Sequence, residues 1–128
     1  MHYITEISPL VKEMELRQDP TIITINDFTE ESSKKFQDQM SVAQNSGQKV
    51  VPIEIDSFGG QVYSLMSMIA AIKASRIPVA TVVQGKAMSC GAILASFGAD
   101  GLRFMDKDAT LMIHDVSSYA FGKIEDLK

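Results

Sequence analysis

Short apolar runs alternate with amphipathic stretches through the middle of the chain. Three runs, at 21–25, 50–55 and 79–83, are short and rich in β-branched residues, which is typical of strands. The second run is almost continuously hydrophobic, a pattern that favours burial on both faces in a parallel sheet. Because Pro52 has no N–H to donate, the paired part of this strand is predicted to begin at Ile53.

The stretches between and after these runs have helical periodicity. Thr29 supplies a capping hydroxyl followed by two acids, and the first helix is predicted to end at about Asn45. The second is predicted over 61–75, and a shorter one over about 89–97. The apolar side chains of the second form one stripe: Val62, Leu65, Met66, Ile69 and Ile72.

The order strand, helix, strand, helix, strand predicts an α/β fold of repeated βαβ units with a mainly parallel sheet. Two further short strands are predicted at 102–105 and 110–113, around a turn at 106–108. A chain of 128 residues is the size of one domain. We expect three parts: an N-terminal arm (1–20), a head domain (21–116) and the start of a further segment (117–128).

Composition excludes several classes of function. A net charge of −4 with scattered Lys and Arg argues against a nucleic-acid or anionic-membrane surface. The single cysteine cannot form an internal disulfide, and no Cys/His spacing predicts a metal site, so a reducing, cytoplasmic location is expected. The N-terminus lacks the pattern of a secretory signal, and no apolar stretch is long enough to cross a bilayer.

Ser89 stands where a strand is predicted to turn into a helix. Such a turn exposes the side chain and leaves neighbouring N–H groups unpaired, which suits a nucleophile. Taken alone, Ser89 is better interpreted as a helix cap, Gly59-Gly60 as an ordinary turn and His114 as a strand-end histidine. Their combination favours a catalytic interpretation instead.

Four segments, in order, resemble the signatures of the Clp protease proteolytic subunit family within the crotonase-like superfamily. They are Asp-Ser-Phe-Gly-Gly (56–60), Gly-Lys-Ala-Met-Ser-Cys-Gly-Ala (85–92), Gly-Ala-Asp-Gly-Leu-Arg-Phe (98–104) and Leu-Met-Ile-His (111–114). Ser89 lies 29 residues after Gly60 and 25 before His114, the intervals expected for an alignment without gaps. The resemblance covers about residues 20–115 and implies a Clp-protease-like fold.

The resemblance also implies roles for individual residues and a serine-type endopeptidase activity by acyl transfer, without any cofactor. Ser89 would be the nucleophile and His114 its general base. The oxyanion hole would consist of the backbone N–H groups of Gly60 and Cys90, and the substrate strip would include Phe58 and Gly59.

The same resemblance implies partners. Family members form homo-oligomers, seven-membered rings that stack in pairs, and an AAA+ ATPase of the Clp type feeds them unfolded protein or peptide. ATP is then bound by the partner, so no phosphate-binding P-loop is expected in this chain. No nucleic-acid or membrane partner is expected.

The sequence departs from the family pattern at three places. Phe58 replaces the usual proline before the glycine pair, and Cys90 replaces the usual methionine after the serine. The family's orienting aspartate lies beyond the histidine, in or after a helical handle, and nothing before the end at Lys128 matches it. We therefore expect the handle and the acid-bearing segment to be absent, as in a fragment or truncated chain.

Four acids within the chain are candidates to replace that aspartate. Asp106 and Asp108 lie in a predicted turn and are better interpreted as solvated acids. Asp115 is adjacent to the histidine and is expected on the opposite face of the strand. Asp126 belongs to the opening of an amphipathic helix.

Other functions remain open at this point. One alternative is a non-catalytic or truncated ring subunit that acts as a scaffold. Another is a non-proteolytic crotonase-type enzyme, which would use paired amides to hold the enolate of an acyl-CoA substrate. Other serine peptidases of the superfamily, of the signal-peptide-degrading or phage head-maturation type, share similar motifs. A nucleophilic role for Cys90 is disfavoured, because it lies about 100° around the helix from Ser89.

Overall fold

The computed structural model describes residues 20–113, and in this range five strands form one sheet. The strands are β1 (Ile23–Ile25), β2 (Val51–Ser57), β3 (Val79–Met88), β4 (Arg103–Met105) and β5 (Thr110–Met112). Their order is β1-β2-β3-β4, and β5 also pairs with β3. Every pairing is parallel, which confirms the predicted α/β class with a mainly parallel sheet.

Three helices in this range pack with the sheet around one main core. They are α1 (Glu30–Gln44), α2 (Val62–Lys73) and α3 (Cys90–Ala95). The core combines side chains of all three helices with alternate residues of the central strands, among them Phe36, Met40, Leu65, Met68, Leu94, Ile53, Ile55, Val83 and Ala87. A second, smaller cluster is formed by Val50, Ala80, Leu102 and Phe104. The predicted division into an arm (1–20), a head domain (21–116) and a further segment (117–128) stays a prediction, and most of the first and last parts lie outside the described residues.

Helix α1 begins and ends where the sequence predicts. The Ser32 N–H donates to Thr29 Oγ1 at 3.0 Å and the Thr29 N–H donates to Ser32 Oγ at 2.8 Å, so the two residues form a reciprocal capping box. At the other end, the Asn45 N–H donates to Val42 O at 3.1 Å. The helix therefore carries its own local start and stop signals.

Replacing Thr29 by alanine is expected to lower the free energy of unfolding by about 1 kcal/mol, because the Ser32 N–H loses its acceptor. Urea denaturation followed by circular dichroism measures this change. The variant Thr29→Ser keeps a capping hydroxyl and should stay within a few tenths of a kcal/mol of the native chain. Equal stabilities for Thr29→Ala and the native chain would contradict the capping role.

Helix α2 buries the predicted face except at Met66, and Val62 and Ile69 also pack against the core. Leu65 and Ile72 are buried as expected, but Met68 completes the buried stripe and Met66 is 49% exposed. The apolar stripe in the sequence is wider than the surface that the sheet and α1 cover, so the methionine at its edge remains in solvent. The helix also ends earlier than predicted, at Lys73 rather than Ser75.

Strand β3 is longer than predicted and continues five residues beyond Val83. Gly85, with φ +75°, lies where the β2–β3 register shifts, and pairing resumes with Ser57 opposite Ala87. The left-handed conformation of this glycine allows the irregular backbone to continue as strand. The polar stretch therefore extends the sheet up to Ser89 instead of forming a loop.

Pro52 does not delay the pairing of β2 with β3, which begins at Val51 rather than at Ile53. The Val51 N–H donates to Pro78 O at 2.9 Å, on the β3 side. Successive residues of a strand direct their N–H groups to opposite neighbours, so the missing donor of Pro52 is on the β1 side. Pairing with β1 starts only at Ile53, opposite Ile23, and the proline interrupts no bond there.

Candidate active site

Ser89 is the single residue between the end of β3 and the start of α3. Its backbone has φ 55° and ψ −116°, and it is the one non-glycine residue of 20–113 with positive φ. Such a conformation costs of order 1–3 kcal/mol and persists only where neighbouring structure holds it. Here the Ser89 N–H donates to Met112 O of β5 at 2.9 Å. Although Ser89 occupies the N-cap position, its side chain makes no capping hydrogen bond, so its hydroxyl is not used as a helix cap.

The glycine pair packs directly against this serine turn. A Cβ on Gly59, whose φ is +115°, would lie 3.1 Å from Ser89 Cβ and 3.2 Å from Met88 O. A Cβ on Gly60 would lie 2.6 Å from Phe28 O. A larger residue would therefore clash at both positions. Because Gly59 has no side chain, its backbone can lie beside the serine.

The two predicted oxyanion donors are neighbours in the structure. Cys90 is the first residue of α3, where an N–H has no partner within the helix. Gly60 and Phe28 form an isolated β-bridge. The hydrogen bond to Phe28 O is donated by the Gln61 N–H at 2.8 Å, so the Gly60 N–H takes no part in that bond. The Cys90 Sγ lies 3.6 Å from Gly60 O. The structure thus brings Gly59, Gly60, Ser89 and Cys90 together.

The Cys90 side chain is fully buried, whereas Ser89 is half-buried. Burial raises the pKa of the Cys90 thiol, because the thiolate would lose hydration. The thiol is therefore protonated at neutral pH and contacts the Gly60 carbonyl from inside the core. This environment is typical of a structural cysteine rather than of a reactive one.

We expect Cys90 to resist alkylation in the folded chain. Because burial raises its pKa, iodoacetamide at pH 8 should modify it much more slowly than a free thiol, and rapidly after unfolding in guanidinium chloride. Intact-mass measurements over time give both rates. Similar rates in the folded and unfolded chain would contradict the buried placement of the thiol.

Strand β5 brings the chain alongside the serine turn. It pairs with the last part of β3, with Lys86 opposite Thr110 and Met88 opposite Met112. The Ser89 N–H bonds to Met112, two positions before His114 in the sequence. His114 lies outside the described residues, and so do Asp115 and Asp126; their roles stay predictions. Two further acidic candidates, Asp106 and Asp108, are exposed between β4 and β5.

A charged and aromatic cluster beside the glycine pair was not found by sequence reasoning. Lys86 Nζ lies 2.7 Å from Asp56 Oδ1 and 4.6 Å from the centroid of the Phe58 ring. The hydrogen bond from Lys86 holds the pKa of the Asp56 carboxyl below its usual value. We call these three residues the lysine clamp. The available signal was the alternation of Asp56 and Phe58 on either side of Ser57, which pairs with the residue after Lys86.

Residues 20–113 contain no group of three or more His, Cys, Asp and Glu side chains arranged to hold a metal ion. The same residues include no helix with the length and apolarity needed to span a bilayer.

Comparison with known proteins gives matches of three kinds. A family model described as Clp protease matches residues 10–128. The ATP-dependent Clp protease proteolytic subunit of Leuconostoc citreum (strain KM20) is 38% identical over 74 residues, 58% of this chain and 37% of that protein. The crystal structure of the ClpP protease catalytic domain from Plasmodium falciparum superposes with a TM-score of 0.72 at 19% identity.

The structural match covers 80% of this chain and 60% of the Plasmodium chain, and at its level of identity it shows the fold alone. It confirms the predicted Clp-protease-like fold. The matches span less than two thirds of the length of either relative. Because the family model matches nearly the whole sequence, the chain belongs to the Clp protease family.

Proposed function

We propose that this chain is a serine-type endopeptidase subunit that cleaves peptides or unfolded proteins by acyl transfer. The observation that carries the proposal is the strained Ser89 turn, with the Gly59 backbone packed against the serine. Strain at a strand-to-helix turn is typical of an exposed nucleophile. Membership in the Clp protease family supports the same chemistry.

In the proposed reaction, His114 removes the proton from Ser89 Oγ as the oxygen attacks the substrate carbonyl. The resulting oxyanion accepts hydrogen bonds from the N–H groups of Gly60 and Cys90, and a single such donor contributes about 10²–10³-fold to kcat. The intermediate then collapses, the C–N bond breaks, and the histidine gives its proton to the leaving amine. Water then attacks the acyl-enzyme while His114 takes its proton. The ester bond breaks, the proton passes to Ser89 Oγ, and the peptide carboxylic acid leaves.

The proposed assembly is a homo-oligomeric ring of seven subunits that receives substrate from an AAA+ ATPase in the cytoplasm. One relative is named as an ATP-dependent Clp protease proteolytic subunit, which supports the kind of partner. The ring size follows from the family resemblance. No cofactor takes part in the proposed chemistry.

Fluorophosphonate labelling of the purified chain tests this function. We expect one label per chain, located at Ser89 by peptide mass, and none in Ser89→Ala. Ser96, exposed at the other end of α3, provides a matched control, and Ser96→Ala should label normally. A folded chain that takes no label, or a label at another serine, would overturn the peptidase proposal and favour the scaffold alternative.

A further inference from the structure

We propose that Lys86 is a positioning residue that holds the Phe58 ring beside the serine turn. The outer face of the ring then selects peptides with an aromatic or large aliphatic side chain next to the cleaved bond. This inference rests on the peptidase function proposed above and extends it to a named residue and a substrate preference.

The position of the ring follows from the strand register. Ser57 pairs with Ala87, so Phe58 is level with Met88, the residue before the serine. Ser57 and Ala87 are both buried, and side chains alternate along a strand, so Asp56 and Lys86 belong to the opposite face. Phe58, the first residue after β2, shares that face because its ring lies under Lys86 Nζ. A Cβ added to the next residue, Gly59, would lie 3.1 Å from Ser89 Cβ. Phe58 is therefore adjacent in the chain to the residue that packs closely beside the proposed nucleophile.

The ring is held on one side and open on the other. Lys86 Nζ lies 4.6 Å from the ring centroid, within the range of a cation–π contact. The Phe58 side chain is nevertheless 72% exposed. A single exposed phenylalanine needs no explanation, but one held by a cation beside a candidate nucleophile offers a defined apolar surface to a substrate.

Lys86 is itself anchored. Its ammonium donates to Asp56 Oδ1 at 2.7 Å, and the Asp56 carbonyl accepts a bond from Asn26 Nδ2 at 3.1 Å. Gly85 leaves room for the carboxylate, because a Cβ there would lie 2.8 Å from Asp56 Oδ1. These contacts restrict the lysine side chain and thereby the ring that it covers.

The same ion pair decides which substrates the clamp favours. An unpaired lysine near the site would attract acidic side chains. Here the Asp56 carboxylate lies at 2.7 Å and compensates the charge of Lys86. The remaining attraction is therefore apolar and comes from the open face of Phe58.

The test compares peptides that differ only at the residues flanking the cleaved bond, carrying Phe, Ala or Glu there. For the native chain we expect the ratio of kcat/KM for Phe over Ala to be well above one. The variant Lys86→Met should lower this ratio about two- to fivefold, the size of a lost cation–π contact. Lys86→Arg should restore it, because a guanidinium also stacks on aromatic rings.

Three controls separate positioning from general damage. Phe58→Leu removes the ring and should lower the Phe-over-Ala ratio of kcat/KM at least as much as Lys86→Met does. The double variant with both substitutions should show the same ratio as Phe58→Leu alone. Lys73 lies over the Phe97 ring at 5.7 Å, outside the lysine clamp, and Lys73→Met should leave the ratio unchanged. Thermal unfolding of each variant checks that the chain remains folded.

Peptide binding to the Ser89→Ala chain gives a readout that does not depend on cleavage. The affinities for the Phe and Ala peptides are compared with and without Lys86→Met. If peptides bind with the expected change in ratio but the native chain neither labels nor cleaves, the peptidase proposal fails and the positioning role stands. If peptides are cleaved but Lys86→Met leaves the ratio unchanged, or Glu peptides are preferred, the positioning role fails. Absence of both binding and cleavage overturns both.

Discussion

Replacing Gly59 by alanine is expected to lower kcat/KM for peptides by about 10²–10³-fold, the effect of losing one oxyanion donor. The added Cβ would lie 3.1 Å from Ser89 Cβ and 3.2 Å from Met88 O, at a φ of +115° that alanine rarely adopts. To relieve these contacts, the glycine pair must move away from the serine turn, and the Gly60 N–H moves with it. The measurement is steady-state hydrolysis, together with the rate of fluorophosphonate labelling.

Gly101 provides the matched control for this substitution. It also has positive φ, at +80°, but an added Cβ would meet nothing within 4 Å. Gly101→Ala therefore carries backbone strain without a clash at the site, and it should lose stability while keeping kcat/KM near the native value. If both variants lost the same activity, the close approach of Gly59 to the serine would not explain the loss.

Replacing Ile55 by alanine is expected to lower the free energy of unfolding by about 2–5 kcal/mol. Ile55 is completely buried in β2, and its Cγ2 would lie 3.5 Å from a Cβ placed on Gly91 of α3. The truncation leaves a cavity directly under the helix that begins after Ser89. We therefore expect the labelling rate at Ser89 to fall as well, measured at a temperature where the variant is folded by circular dichroism.

The variant Ile53→Ala distinguishes the loss of stability from the effect on the serine turn. It is equally buried on the same strand, two residues further from the glycine pair. Ile53→Ala should lose a similar amount of stability but keep the labelling rate closer to that of the native chain. A larger fall in labelling for Ile53→Ala than for Ile55→Ala would contradict the support that Ile55 gives to the serine turn.

The elements that sequence reasoning predicts best are those with local signals. Helix α1 is one, because Thr29 at its start and Asn45 at its end form hydrogen bonds with residues only two or three positions away. The strand-to-helix turn at Ser89 is another, since β-branched residues precede it and small residues follow. Local patterns therefore predict the position of both features, whereas the strained backbone of Ser89 is held by its hydrogen bond to Met112 of β5.

The features that the sequence did not predict depend on contacts between residues that are distant in the sequence. The extension of β3 beyond Val83 depends on pairing with Ser57 across a register shift. The exposure of Met66 depends on how much of α2 the sheet and α1 cover. The lysine clamp joins residues about thirty positions apart, and only the register between β2 and β3 reveals it. No local pattern carries this information.

The hydrogen bond from Ser89 to Met112 also bears on the synthesis of the protein. Chains fold from the N-terminus as they leave the ribosome, and the acceptor of this bond is made 23 residues after the donor. A nascent chain that ends before Met112 has the serine but lacks the strand that fixes its strained backbone. The proposed nucleophile is therefore completed only when β5, the last strand of the described sheet, has been made.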